Sequence, residues 1–406
     1  MKFQALSVLV DDPSTFAAQL PTDPVVFVRD TKAISSLITL ADMDQLVTTG
    51  GARRAGFTVA RRSKPAPATA VTLTQYTTDE DVRDLADPLG VAAAVQSGYS
   101  FNLTNVQRFS DRLGRFTDRL SYEIGALVKA YTFLTPPHSE GTQHHDTGSN
   151  FICQTVGTKI WKMYRPALRN PLTRNSWSWA GITEEDRKRL IDGPPDLEIT
   201  LDPGSVLWMP RGWIHVGSTT DDLSLHVSFR VETSTQHWLA TTLVNWLADQ
   251  QGFREDLTMK FDATEESAQA EVRRLIADLG KALESADLAE MARYAQSAHF
   301  SRFIGPRINA FSDIIAPNEQ DLKSVRLRAE GAVGHLREGE ILRVHLGSAE
   351  RDFAGAEADL LEYLLEQEPE VNVLEIAQQR LGHELGADFV RSLLATGLAV
   401  RTARPW

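Results

Sequence analysis

The chain has 406 residues, enough for two or three domains, and its 42% hydrophobic and 24% charged residues are ordinary globular usage. Its 54 acids against 42 bases leave a net charge of −12, which argues against general binding to nucleic acid or anionic lipid. A single cysteine, Cys153, excludes an internal disulfide framework and a thiolate-rich zinc site. No apolar run approaches the roughly 20 residues needed to span a bilayer. The short apolar stretch after Lys2 stops at Asp11 and Asp12, too brief for a secretory signal, so a cytoplasmic protein is expected.

Residues 1–235 hold nearly all the strand-like material. The segments 23–30, 55–62, 69–76, 129–135, 150–157, 159–166, 205–210 and 223–231 are short and rich in Val, Thr, Ile and aromatics, with Pro, Gly or Asp at their ends. Their irregular spacing suggests a barrel or sandwich rather than alternating βαβ units. Helices are predicted between them at 81–97 and 104–125. From about 235 the period becomes helical, with Trp238, Leu239, Thr242, Leu243, Trp246 and Leu247 recurring at three and four residues. The Ala-, Leu-, Glu- and Arg-rich stretch 264–297 is also predicted helical. Helical hairpins of this kind often form dimer interfaces, so residues 236–320 are expected to dimerise the chain.

The region 321–406 reads as strand-like material at 323–346, helices at 354–367, 373–382 and 385–396, and a final strand. Leu385, Phe389, Val390, Leu393, Leu394 and Leu398 make one apolar face. Three helices and a strand follow a winged-helix order, which raises DNA binding. The charge opposes it: between Glu350 and Arg391 eleven acids and three bases leave 3 − 11 = −8, the wrong sign for a phosphate backbone.

The chemistry-bearing segment is 141–166. His144 and Asp146 are two apart, so on a strand both point to one face while His145 points away. His215 follows in "PGSVLWMPRGWIH", after a strand and a Gly-containing turn. Two histidines and a carboxylate make a facial triad, which suits Fe(II) oxygen chemistry. The bland alternative makes His144 a surface turn residue and His215 a satisfied core histidine. Cys153 reads as a small core residue rather than a ligand.

In "LTPPHSEGTQHHD", "NFICQTVGTKIWKMYRP" and "PGSVLWMPRGWIHVG" the sequence resembles the JmjC-type cupin oxygenases, specifically the ribosomal oxygenase group. The resemblance implies an α+β fold: a double-stranded β-helix (jelly-roll, cupin) catalytic domain over 1–235, a helical dimerisation region over 236–320 and an acidic winged-helix-like domain over 321–406. It implies Fe(II) held by His144, Asp146 and His215, with 2-oxoglutarate as co-substrate. Lys159 falls on the cation that pairs with the far carboxylate of 2-oxoglutarate. A carboxylate buried there would be costly without such a partner. Tyr131 falls where the family often places an asparagine or another polar co-substrate contact, and Ser228 offers a further hydrogen bond. Gln143 stands where the family often has proline, and Thr147, Gly148, Ser149 and Asn150 stand where acidic residues often follow. Those departures bear on the substrate, not on the iron.

The implied reaction is hydroxylation of a polypeptide side chain, on a ribosomal protein or a biosynthetic precursor peptide. The implied partners are that substrate and a second copy of the chain, with neither membrane nor DNA. Two rivals stay open: a cupin metalloenzyme that does not use 2-oxoglutarate, and a non-enzymatic regulator acting through the winged-helix region. Arg53, Arg54, Arg61, Arg62 and Lys64 cluster around one strand, either as charge that protects a sheet edge or as a site for an acidic peptide or RNA. Trp177 and Trp179 either line a peptide groove or fold their loop onto the barrel.

Overall fold

A computed structural model describes residues 3–401, apart from 77, 178–182, 184, 186–187, 189–191, 250, 257–264, 306, 308–310, 312–321, 329–333, 348 and 368–370. The chain divides into two compact units, one up to Thr233 and one from Ser234 onward. In the first, the strands in chain order are β1 (Val25–Val28), β2 (Phe57–Arg61), β3 (Lys64–Pro65), β4 (Thr72–Gln75), β5 (Val82–Ala86), β6 (Ser100–Thr104) and β7 (Leu127–Thr135). They continue with β8 (His144–His145), β9 (Ser149–Val156), β10 (Lys159–Tyr164), β11 (Leu197–Leu201), β12 (Ser205–Met209), β13 (Ile214–Ser218) and β14 (Ser224–Glu232).

Two antiparallel sheets dominate. The larger runs β1-β12-β9-β14-β7-β6-β2-β3, the smaller β11-β10-β13-β8, and β4 pairs with β5. This is an α+β fold built on a jelly roll of paired antiparallel sheets. The larger sheet is covered on one face by apolar helices and the segment after one of them: Leu6, Leu9, Ile34, Ile38, Leu113 and Leu120 share a core with Phe101, Phe151, Phe229 and Trp208. Alternation along β14 explains why Ser224–Phe229 are buried on both faces. Leu225, Val227, Phe229 and Val231 enter that core, while His226, Ser228 and Arg230 line a cavity on the other face. Ile152, Trp161, Met163, Leu207 and Trp213 form a separate apolar cluster. Cys153 is fully buried in the main core, and burial pushes its thiol pKa up.

Several boundaries differ from the sequence reading. The stretch 81–97 is strand β5 followed by helix Pro88–Gln96, because Asp87 caps the helix and Pro88 occupies its first turn. Residues 104–125 close β6, make a short 3-10 turn, and become helix only from Asp111 to Ile124, capped by Ser110. In 69–76, helix Ala68–Val71 precedes β4. His215 itself lies in a strand, β13, and β6 and β11 have no counterpart among the predicted strands.

In the second unit, helices Gln236–Trp246, Glu265–Ser285 and Leu288–Phe300 are followed by a three-stranded antiparallel sheet, Gly334–Glu338, Ile341–Leu346 and Ala349–Ala354. Helices Gly355–Glu366, Val373–Leu381 and His383–Thr396 come next, and strand Ala399–Arg401 pairs with Val325–Leu327. Leu361, Leu364, Val373, Phe389, Val390, Leu393 and Leu394 build its core. Leu385, expected on that apolar face, is instead 64% exposed; it sits in the first turn of its helix, off the buried stripe. Leu247 is buried and Trp238 lies against His299 and Arg302, whereas Leu239 and Val244 are exposed. No described helix is long and apolar enough to cross a membrane.

Candidate metal centre

His144 and His215 are direct cross-strand partners in the β8–β13 pairing, so register alone brings their rings to 4.4 Å between centroids. Asp146 follows two residues after His144, and its Oδ2 is 4.0 Å from His215 Nε2. The potential ligand atoms of His144, Asp146 and His215 all lie within 4.8 Å of one another. One ion could be held by all three, with positions left over on an octahedral metal.

Both imidazoles are held in the tautomer a metal needs. His144 Nδ1 lies 2.8 Å from the Thr142 carbonyl, and His215 Nδ1 lies 3.0 Å from the Trp213 carbonyl. A carbonyl only accepts, so each Nδ1 carries the proton and each Nε2 presents a lone pair. Burial and the neighbouring His144 push the pKa of His215 down to about 4, so its ring is neutral at physiological pH. Asp146 is oriented from two sides. Asn150 Nδ2 donates to Oδ2 at 2.8 Å, and Arg230 Nη1 lies 3.4 Å from Oδ1 while Nη2 donates to Thr147 at 2.9 Å. The β12–β13 turn is tied to the same loop: Gly212 N–H donates to the Asp146 carbonyl at 3.0 Å. Gly212 has φ of +92°, and a Cβ there would come within 2.9 Å of the Leu168 carbonyl oxygen, so only glycine makes this contact without strain.

His145 points away from the triad. It is buried, its Nε2 lies 2.9 Å from the Asn175 carbonyl, and its ring meets Trp177 edge-on at 5.3 Å. Trp177 thus joins its loop to the back of the triad strand; Trp179 lies outside the described residues.

The triad opens into a cavity of about 360 Å³. Lys159, Tyr131 and Ser228 all line it. Lys159 is buried, donates from Nζ to Thr135 Oγ1 at 3.0 Å, and sits 5.5 Å from the centre of the Trp161 ring. Desolvation pushes its pKa down to about 7, a cost that an incoming anion would relieve. Gly217 makes room for it: a Cβ there would fall 2.8 Å from Lys159 Cε. Tyr131 and Ser228 are cross-strand partners on β7 and β14, and burial raises the Tyr131 pKa. The basic cluster divides. Arg53 bridges to Leu85 and Arg54 donates to the Phe57 carbonyl, while Arg62 and Ser63, at the β2–β3 tip on the sheet edge, reach the cavity wall.

Sequence reasoning passed over Thr135, His226 and Arg230, and it tied Asn150 to the substrate rather than the metal, whereas Asn150 holds the Asp146 carboxylate. The signal was present for three of them: polar residues at every second position of 224–232 and the polar end of 129–135 mark a lined cavity. Asn150 carries no such signal, because its role depends on the path of the 147–149 loop.

The JmjC domain profile matches residues 102–239. Ribosomal oxygenase 1 of Gallus gallus is 32% identical over 157 residues, 37% of this chain and 25% of that protein. The bifunctional lysine-specific demethylase and histidyl-hydroxylase NO66 of Culex quinquefasciatus is 30% identical over 224 residues, 51% of this chain and 33% of that protein. The chain thus spans about a quarter to a third of the length of these curated relatives. Among solved structures, the Escherichia coli ribosomal oxygenase YcfD in complex with cobalt and 2-oxoglutarate superposes with a TM-score of 0.52 at 12% identity, covering 97% of this chain and 99% of that one. That likeness is one of fold. Residues 102–239 are a JmjC domain. Over this region the chain is similar in sequence to ribosomal oxygenases.

Proposed function

We propose that the protein is an Fe(II)- and 2-oxoglutarate-dependent oxygenase that hydroxylates a side chain of a protein or peptide. One observation carries this: ligand atoms of two histidines and a carboxylate lie within 4.8 Å of one another on the same cavity as a buried lysine. Two imidazoles with one carboxylate are the donor set of non-haem Fe(II) oxygenases, and a buried cation fits a co-substrate with a second carboxylate. When bound, Fe(II) would let dioxygen act as the oxidant: one oxygen atom goes into the succinate formed as 2-oxoglutarate loses CO₂, and the other into the substrate C–H bond.

The chain's own residues do the rest. His144, Asp146 and His215 hold the metal, and Asn150 and Arg230 fix the carboxylate that shares it. Lys159, steadied by Thr135, pairs with the far carboxylate. Tyr131 and Ser228 add polar contacts from facing strands. Trp161 and Phe133 supply apolar wall that keeps stray water from the reacting atoms. The names of the relatives favour a ribosomal protein as substrate, with a precursor peptide next. Incubation with Fe(II), 2-oxoglutarate and a digest of host ribosomes should give a peptide heavier by one oxygen; no such peptide from any ribosomal protein would move the precursor peptide ahead. A metalloenzyme that does not use 2-oxoglutarate has no need of Lys159.

The same reading assigns 1–235 to catalysis, 236–320 to homodimerisation and 321–406 to a winged-helix-like domain in a cytoplasmic protein. Helix Glu265–Ser285 buries no residue and exposes Val272, Leu275 and Ile276, which supports an interface there. Acidic charge over 350–391 speaks against DNA as a partner and against the regulator reading. Light scattering should give twice the chain mass, and Leu275→Asp with Ile276→Asp should give the monomer. A monomeric wild type would sink the assignment.

A further inference from the structure

Resting on the oxygenase reading, we propose that His226 is a second donor to the far carboxylate of 2-oxoglutarate, acting beside Lys159. The cavity face of β14 presents His226, Ser228 and Arg230 in a row. Arg230 ends the row beside Asp146, while His226 lies near Lys159, whose charge acts on its ring. His226 is 2% exposed. Its ring is fixed by aromatic contacts, stacked on Phe133 at 4.8 Å with a 12° interplanar angle and edge-on to Trp161 at 5.7 Å. Its Nδ1 is buried and has no hydrogen-bond partner among the described residues.

A buried polar atom kept without a partner calls for an explanation, and a ligand that brings the partner is one. The donors gathered here define that ligand. Lys159 has three N–H bonds, of which one is directed to Thr135. Burial and the Lys159 charge hold His226 neutral, so its ring carries one N–H and adds no repulsion to the lysine. An acceptor-only group with several lone pairs fits these donors, and a carboxylate is that group. If the ring were only a space-filler between Phe133 and Trp161, phenylalanine would serve as well.

Calorimetry on Co(II)-loaded protein with 2-oxoglutarate and with 2-oxobutyrate, which has the same keto acid but no far carboxylate, separates the two roles. His226→Phe should weaken 2-oxoglutarate roughly ten- to hundredfold, leave 2-oxobutyrate within about twofold, and keep the cobalt content; His226→Gln should recover part of the loss. Equal losses for both acids, or none, would overturn the proposal. In the wild type, loaded with Zn(II) and labelled with ¹⁵N-histidine, 2-oxoglutarate should shift a His226 ring resonance that 2-oxobutyrate leaves in place, a result independent of whether the variants fold. Lys159→Ala run in parallel distinguishes the failures. If it leaves the preference for 2-oxoglutarate intact, the oxygenase reading is at fault rather than the role of His226.

Discussion

The two units spend their interiors differently. Among the described residues from Ser234 onward the buried polar or charged side chains are Thr242, Arg328 and His345, against a core of leucine, valine, phenylalanine and alanine. The first unit buries Lys159, His145, His215, His226, Asn150, Ser228 and Thr135 within or beside one cavity. Each such group forfeits hydration, and Lys159 does so strongly enough to lose much of its basicity. A fold keeps that arrangement where a metal and an anionic ligand restore what burial removed. Among its described residues the second unit gathers no comparable set of buried polar groups around one cavity, and its core is packed mainly from apolar side chains.

The largest effect should come from the triad. His144→Ala should abolish both metal binding and turnover, whereas His145→Ala should keep metal, losing the bond to Asn175 and the contact with the Trp177 ring. Metal analysis of the two purified variants checks this, and metal loss in His145→Ala alone would reverse the assignment of faces. Next comes Lys159→Ala, which removes no ligand and should leave metal content near one per chain. Breaking a buried pair costs roughly 3–5 kcal/mol, or about two to more than three decades in 2-oxoglutarate affinity. Lys159→Arg should retain part of it, since the charge survives with altered reach. An unchanged affinity in Lys159→Ala would put the metalloenzyme without 2-oxoglutarate ahead.

In the second unit, Leu361→Ala opens a cavity in an apolar core and should cost about 2–5 kcal/mol of its stability. A lowered thermal transition with metal content preserved would uphold the contrast between the units; metal loss would break it. The smallest effect is the pH dependence. Lys159 is lowered from 10.5 to about 7, so between those values the unfolded chain holds a proton the folded chain lacks. Stability of the metal-free protein therefore rises with pH across that window. Binding that needs the charged lysine runs the other way. The 2-oxoglutarate affinity of Co(II)-loaded protein should fall by up to about tenfold per pH unit above about 7, and Lys159→Arg should flatten that slope.

Local pattern was enough for much of this protein. Period-two runs locate β7, β9, β10, β12 and β14, and the three C-terminal helices fall within a few residues of their predicted spans. The H-x-D spacing separates His144 and Asp146 from His145, because alternation on a strand is a local property of the backbone. Where local signals compete, the sequence misleads: Val82–Ala86 reads as the start of a helix until its pairing with β4 makes it a strand. That His215 meets His144 depends on the register of β13 against β8, a pairing across about 70 residues that no local pattern specifies. The Asn150 and Arg230 contacts to Asp146, the space Gly217 leaves for Lys159 and the unpartnered Nδ1 of His226 likewise exist only once strands distant in sequence close the cavity. Composition and alternation assign each residue a face; which residues share a cavity is decided by strand register and the approach of one backbone to another.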